Sequence, residues 1–152
     1  TGSLFSFPVL GSRCAPVQHM VNILCAVLLS PGWGVSVAFV ASLLRNFLGL
    51  GSLMAFPGSM CGALLCGLVF WKTKNIPATL CGEIFGTGIL GGLLAYPIST
   101  LFMNVDAAQV AFYAYIIPFL ISTVVGSLLA GLLVMALKKS GVLEQMRSTL
   151  EN

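Results

Sequence analysis

Charge is what this sequence has least of. Its 152 residues include seven Lys or Arg and four Asp or Glu, 7% in all, against about 25% in an average soluble domain. So few charges cannot cover the surface of a water-soluble fold of this length, which excludes a soluble enzyme and a nucleic-acid binder. Intrinsic disorder is excluded too, because 58% of residues are hydrophobic and the mean hydropathy is +1.04. Histidine occurs once, and the five cysteines (Cys14, Cys25, Cys61, Cys66, Cys81) form no CxxC pair, so no zinc site is expected. Four of them lie in apolar runs and read as small packing residues; Cys14 lies in a polar loop. There is no GxxxxGK[ST] phosphate loop, so the chain does not hydrolyse nucleotide itself. No repeat relates two halves, as it does in many secondary transporters. No Ser or Cys stands at motif spacing from His19, and no acidic pair exists for metal or acid–base work. Neither an enzyme nor a cofactor is expected.

What is present is apolar sequence long enough to cross a membrane several times. A span needs about 20 apolar residues. Five segments separated by polar or Pro/Gly-rich breaks are expected as helices: 16–30, 33–48, 53–71, 76–102 and 111–137, in a single transmembrane domain over residues 1–152. The start, Thr1 to Gly11, is apolar but too short to span, and reads as the tail of a preceding helix followed by a loop. Lys72 and Lys74 follow the third segment; Lys138, Lys139 and Arg147 follow the fifth. The positive-inside rule puts both clusters in the cytoplasm, and the two spans between them agree with that. Arg13, loop 49–52 and Asp106 then fall outside. Trp33 and Trp71 mark the inner interface, and Phe112, Tyr113 and Tyr115 the outer one. Glycine, 17 residues in all, recurs at a spacing of four in Gly58/Gly62, Gly82/Gly86 and Gly88/Gly92. Such pairs allow helix backbones to approach closely, either within the bundle or against a partner subunit, for which Ser127/Gly131 is the candidate face.

Polar residues within spans are rare, and each is a candidate. Gln18, His19 and Asn22 sit at the outer end of the first segment, with Gln18 and Asn22 four apart on one face. They suit a hydrogen-bonding small-molecule site, or are helix-end polarity facing headgroups and water. Arg45 and Asn46 lie near the outer end of the second segment, where Arg45 either snorkels outward or pairs inside the bundle. Glu83, the one acidic residue embedded in an apolar span, has Thr87 four residues on. It is expected to be neutralised by Arg45 or by other neighbours. Tyr96, before Pro97, offers a ring and a hydroxyl, or is a core or belt tyrosine.

Four motifs carry a resemblance: Pro16-Val17-Gln18-His19-Met20-Val21-Asn22, Ser42-Leu43-Leu44-Arg45-Asn46, Ala55-Phe56-Pro57-Gly58-Ser59-Met60 and Gly82-Glu83-Ile84-Phe85-Gly86-Thr87-Gly88. In this order, over nearly the whole chain, they resemble the ThiW family of S components of energy-coupling factor vitamin transporters. The resemblance implies an all-α integral membrane protein, a six-helix bundle whose first helix is mostly missing here, leaving about five spans. It implies a multi-pass protein of a bacterial cell membrane with a cytoplasmic C-terminus. It captures hydroxyethylthiazole and hands it to a transmembrane coupling protein and two ATPase subunits, with no nucleic acid involved. The implied substrate-binding set is Gln18, His19, Asn22, Arg45, Asn46, Glu83, Thr87 and Tyr96, with Phe56 as an alternative stacking ring. The competing expectation is a structural or assembly subunit of the membrane that binds no small molecule. On the capture reading, Thr1 to Ala15 forms a mobile lid. Its amide hydrogen exchange should slow when ligand is added, and equal protection with and without ligand contradicts a lid.

Overall fold

The computed structural model describes residues 7–9, 12–14, 16–49, 51, 53–102 and 111–151. A short antiparallel hairpin comes first, β1 (Phe7–Val9) and β2 (Ser12–Cys14), paired Phe7↔Cys14, Pro8↔Arg13 and Val9↔Ser12. Part of the stretch expected as a lid loop is thus paired strand; its remaining residues, like Asp106, lie outside the described residues. Six helices follow: α1 (Pro16–Leu28), α2 (Pro31–Phe47), α3 (Ala55–Thr73), α4 (Ile76–Phe102), α5 (Ile116–Lys139) and α6 (Val142–Glu151). The all-α membrane character read from the sequence holds apart from the hairpin. Three helices, α3, α4 and α5, are long and apolar enough to cross a membrane. At 13 and 17 residues, α1 and α2 are shorter. Residues 111–115, expected within the fifth helix, form turns before it begins, and α6 was not anticipated.

Local chemistry sets the helix ends. Pro31 occupies the first turn of α2, behind an extended Ser30, where a missing amide costs nothing. α3 stops at Lys74, which is left-handed at φ 51°. Asn75 caps α4, its side chain accepting from the Ala78 amide at 3.5 Å. Gly141, at φ +75°, ends α5 and turns the chain into α6. Up-and-down order gathers the ends of α1, α3 and α5 with Lys72, Lys74, Lys138 and Lys139, and this basic end holds the apolar core. Ile23, Ala26 and Val27 of α1 meet Cys66 and Phe70 of α3 and Ala130 and Val134 of α5, with Leu143 of α6 closing the end.

The tightest seam joins α3 to the antiparallel α4. A Cβ on Gly82 would stand 3.3 Å from Cys66 Cα; one on Gly86, 2.8 Å from Gly62 Cα; one on Gly91 would overlap Gly58 Cα. α3 advances by four and four along this seam (58, 62, 66), whereas α4 advances by four and then five (82, 86, 91). The extra residue is absorbed where α4 is wound as a π-helix, Ile84–Gly91, whose turns close at i→i+5. The glycine spacing therefore serves packing inside the bundle. The Ser127/Gly131 face expected to meet a partner is buried as well. Ser127 is 1% exposed, and a Cβ on Gly131 would stand 2.9 Å from Leu80 Cδ1. The reason is that α5 turns its small residues toward α4 and shows Leu128, Leu129 and Leu132 outward.

Gly91→Ala should force α3 and α4 apart and cost about 1–3 kcal/mol, as overpacking does, read as a lower unfolding midpoint in detergent. Gly32→Ala, where nothing lies within 4 Å of a new Cβ, should change the midpoint little.

Candidate functional site

α1 has 13 residues, roughly 20 Å at 1.5 Å each, against a hydrocarbon core of about 30 Å. It therefore starts inside the bundle rather than at the far surface, and the hairpin leads into it, with β2 against α5. His19 lies about 14 Å before the basic end of α1, and Glu83 about 10 Å past the basic end of α4. The two meet at mid-depth. Glu83 is fully buried at 0% exposure, His19 is 7% exposed, and Asn22 and Thr87 are 2% each.

One carboxylate oxygen, Glu83 Oε1, gathers three donors. His19 Nδ1 stands at 3.0 Å, Asn22 Nδ2 at 3.1 Å and Thr87 Oγ1 at 2.9 Å. Because a carboxylate only accepts, Nδ1 carries a proton. The other ring nitrogen, Nε2, is 3.1 Å from Ser122 Oγ, taking the hydroxyl as donor in the neutral ring or donating to it in the imidazolium. Asn22 Nδ2 is shared with the Ser59 carbonyl at 3.3 Å, and the Thr87 hydroxyl with the Gly58 carbonyl at 3.1 Å. Among the described residues, the second oxygen, Glu83 Oε2, has no hydrogen-bond partner, nor has the buried Ser59 Oγ on α3. Gly62 provides the space: a Cβ there would overlap Thr87 Oγ1 and stand 2.6 Å from Glu83 Oε2.

A second polar cluster backs onto the first across α1. Gln18 Nε2 donates to Ser42 Oγ at 2.9 Å, Arg45 Nη1 donates to Gln18 Oε1, and Asn46 Nδ2 donates to the Ser42 carbonyl at 2.9 Å. The eight residues singled out in the sequence thus divide. His19, Asn22, Glu83 and Thr87 form one network; Gln18, Arg45 and Asn46 form another; Tyr96 joins neither through Glu83. Tyr96 lies about 13 Å beyond Thr87 along α4, half-buried, its carbonyl accepting from Ser99 and Thr100. Gln18 and Asn22, four apart, do not act together, because Gln18 turns to α2 while Asn22 turns to α3 and α4. Arg45 does not neutralise Glu83; the donors on α1 and α4 take that place. Phe56 packs edge-on against Phe39, ring centres 5.8 Å apart.

Ser42, Ser59, Gly62 and Ser122 complete these networks without having been singled out. Gly62 had a signal in its spacing of four from Gly58. Ser42 and Ser59 stood inside quoted motifs, and Ser122 sits in an apolar run that gave no sign of it. A family model described as "Thiamine-precursor transporter protein (ThiW)" matches residues 1–140. No curated protein and no solved structure matches.

His19→Ala leaves the buried carboxylate with two of its three donors. Removing one partner of a buried pair costs about 3–5 kcal/mol, so the unfolding midpoint should fall sharply. Gly62→Ala should lower it by a comparable route, displacing Thr87 and Glu83 together. Removal of the Arg45 charge, on the other cluster, should cost less than either.

Proposed function

Because the chain belongs to the ThiW family of thiamine-precursor transporters, we propose that it is the substrate-capturing S component of an energy-coupling factor transporter, with hydroxyethylthiazole as its cargo. On this reading it is a multi-pass protein of a bacterial cell membrane, its basic end and C-terminus in the cytoplasm. It passes the cargo to a transmembrane coupling protein powered by two ATPase subunits and carries out no reaction of its own. The observation that carries the reading is the Glu83 network at mid-depth. Ionisable residues inside a membrane are costly and mark substrate pathways, and this one lies near the N-terminal end of the short helix α1, where the hairpin enters.

The chemistry suits an uncharged heteroaromatic alcohol. Such a ligand brings a flat apolar ring, a ring nitrogen that accepts, and a hydroxyl that donates and accepts. His19, Asn22 and Thr87 already engage Glu83 Oε1, so the carboxyl group does not face a neutral ligand unpaired. Gln18, His19, Asn22 and Asn46 supply donors for the ring nitrogen. Glu83, with Oε2 unengaged, and Thr87 read the hydroxyl, and Arg45 holds Gln18 in place. Phe56 and Tyr96 are the rings available for stacking.

The second reading, a structural or assembly subunit without ligand, draws on the same network, since Glu83 Oε1 already finds its donors within the chain. Such contacts within membranes average about 0.6 kcal/mol.

Calorimetry on the purified protein separates the two. Capture predicts saturable heat with hydroxyethylthiazole, less or none with thiamine, and at least a ten-fold loss of affinity in Glu83→Gln. No heat with thiazole alcohol, thiamine or an aminopyrimidine, together with a Glu83→Gln variant altered only in stability, supports the structural reading.

A further inference from the structure

The basic end carries a cleft of about 720 Å³, formed where the end of α1, the start of α2, the end of α3 and the end of α6 come together. That volume lies within the ~300–1,000 Å³ range of small-molecule sites. Its floor is apolar, from Ala26 to Leu29 and Phe70. Trp33 and Trp71 line it and are 67% and 62% exposed; Leu150 lines it from α6. Lys74 is its charged lining residue among the described residues, with the ammonium 5.2 Å from the centre of the Phe70 ring. Lys72, Lys138 and Lys139 are exposed at the same end of the bundle. Ser30 also lines the cleft, and its side chain makes no cap bond to α2.

We propose that this cleft is a binding site for an anionic phospholipid, with an acyl chain along the apolar floor between Trp33 and Trp71 and the phosphate at Lys74. Three features select this occupant. Most lining side chains are apolar, with Ser30 and the Lys74 cation as the polar ones, which matches an amphiphile of opposite charge. The two tryptophans are where indole rings sit at the level of lipid headgroups. Lys72, two residues before Lys74 at the end of α3, adds a second cation, which favours an anionic headgroup over a zwitterionic one, as basic pockets between helices do; the acidic Glu144 at this end is exposed on α6. The site stands on the opposite side of the apolar core from the Glu83 network, so it does not depend on what the protein carries.

Trp33 and Trp71 are the chain's only two tryptophans, and both line the cleft, so indole emission reports on the cleft and on lipid next to it, and the difference between headgroups isolates the site. Phosphatidylglycerol brominated on its acyl chains, titrated into phosphatidylcholine bilayers holding the whole chain, should quench emission at a lower mole fraction than brominated phosphatidylcholine does. The preference should saturate. It should fall about five-fold for each lysine removed in Lys74→Gln and Lys72→Gln, weaken with added salt, and persist in the paired Lys138→Gln and Lys139→Gln variant. Coincident curves for the two lipids overturn the proposal. So does a preference untouched by the Lys72 and Lys74 substitutions.

Discussion

A carboxylate in the middle of a membrane must be solvated by the protein that carries it, and the arrangement of this bundle follows from that requirement at Glu83. Hydrocarbon offers no hydrogen bonds, so every donor has to come from the protein itself. α1 supplies His19 and Asn22, α4 supplies Thr87, and α5 steadies the imidazole through Ser122. α3 gives space: Gly62 presents bare backbone where a methyl group would strike Thr87. The two carbonyls that share these donors, Gly58 and Ser59, belong to the same turn of α3. Four helices thereby meet in one network around the Glu83 carboxyl group.

That convergence explains the winding of α4. Glu83 and Thr87 must both face Gly62, so the backbones of α3 and α4 must lie nearly in contact, with small residues along the seam. A regular α-helix with small residues at every fourth position would drift off the facing row over three contacts. The π-wound stretch supplies the additional residue between Gly86 and Gly91 and returns α4 to Gly58. Such stretches are less favourable than α-helix and tend to occur at functional sites. Here the winding begins one residue after the carboxylate and includes Thr87, so the departure from α-geometry and the polar network occupy the same turns.

The sequence revealed these elements unevenly, for physical reasons. The membrane class and the 76–102 helix were legible because hydrophobicity over a long window is insensitive to detail. The terminus of α5 was misplaced at Ala111 because aromatic and aliphatic residues in a turn at the bundle's edge look the same as those in a helix. α6 was missed because its one anchoring residue, Leu143, is surrounded by polar residues, and its burial at 3% depends on helices far away in sequence. Glu83 and His19 were individually conspicuous, being rare residue types in apolar runs, yet their pairing across 64 positions is a property of packing that spacing along one helix does not contain. The same limit left open whether Arg45 or other neighbours engage Glu83. Both residues stood out as charges, and only the rotation of α1 decides that Gln18 meets Arg45 while His19 meets Glu83.

The vertical order of the bundle bears on how a capture protein of this kind would work. Polar residues occupy the middle of α1, α3 and α4, whereas Ile23, Val27, Phe70, Val134 and Leu143 close the basic end with an apolar plug. A neutral ligand held at Glu83 has a dry, close-packed layer below it, and packed cores rearrange between discrete states rather than yielding gradually. The plug must therefore be displaced as a unit for the ligand to leave toward the basic end. The chain has no phosphate-binding loop with which to drive that displacement. On the proposed function, the work of breaking the Leu143 contacts falls to the coupling subunit.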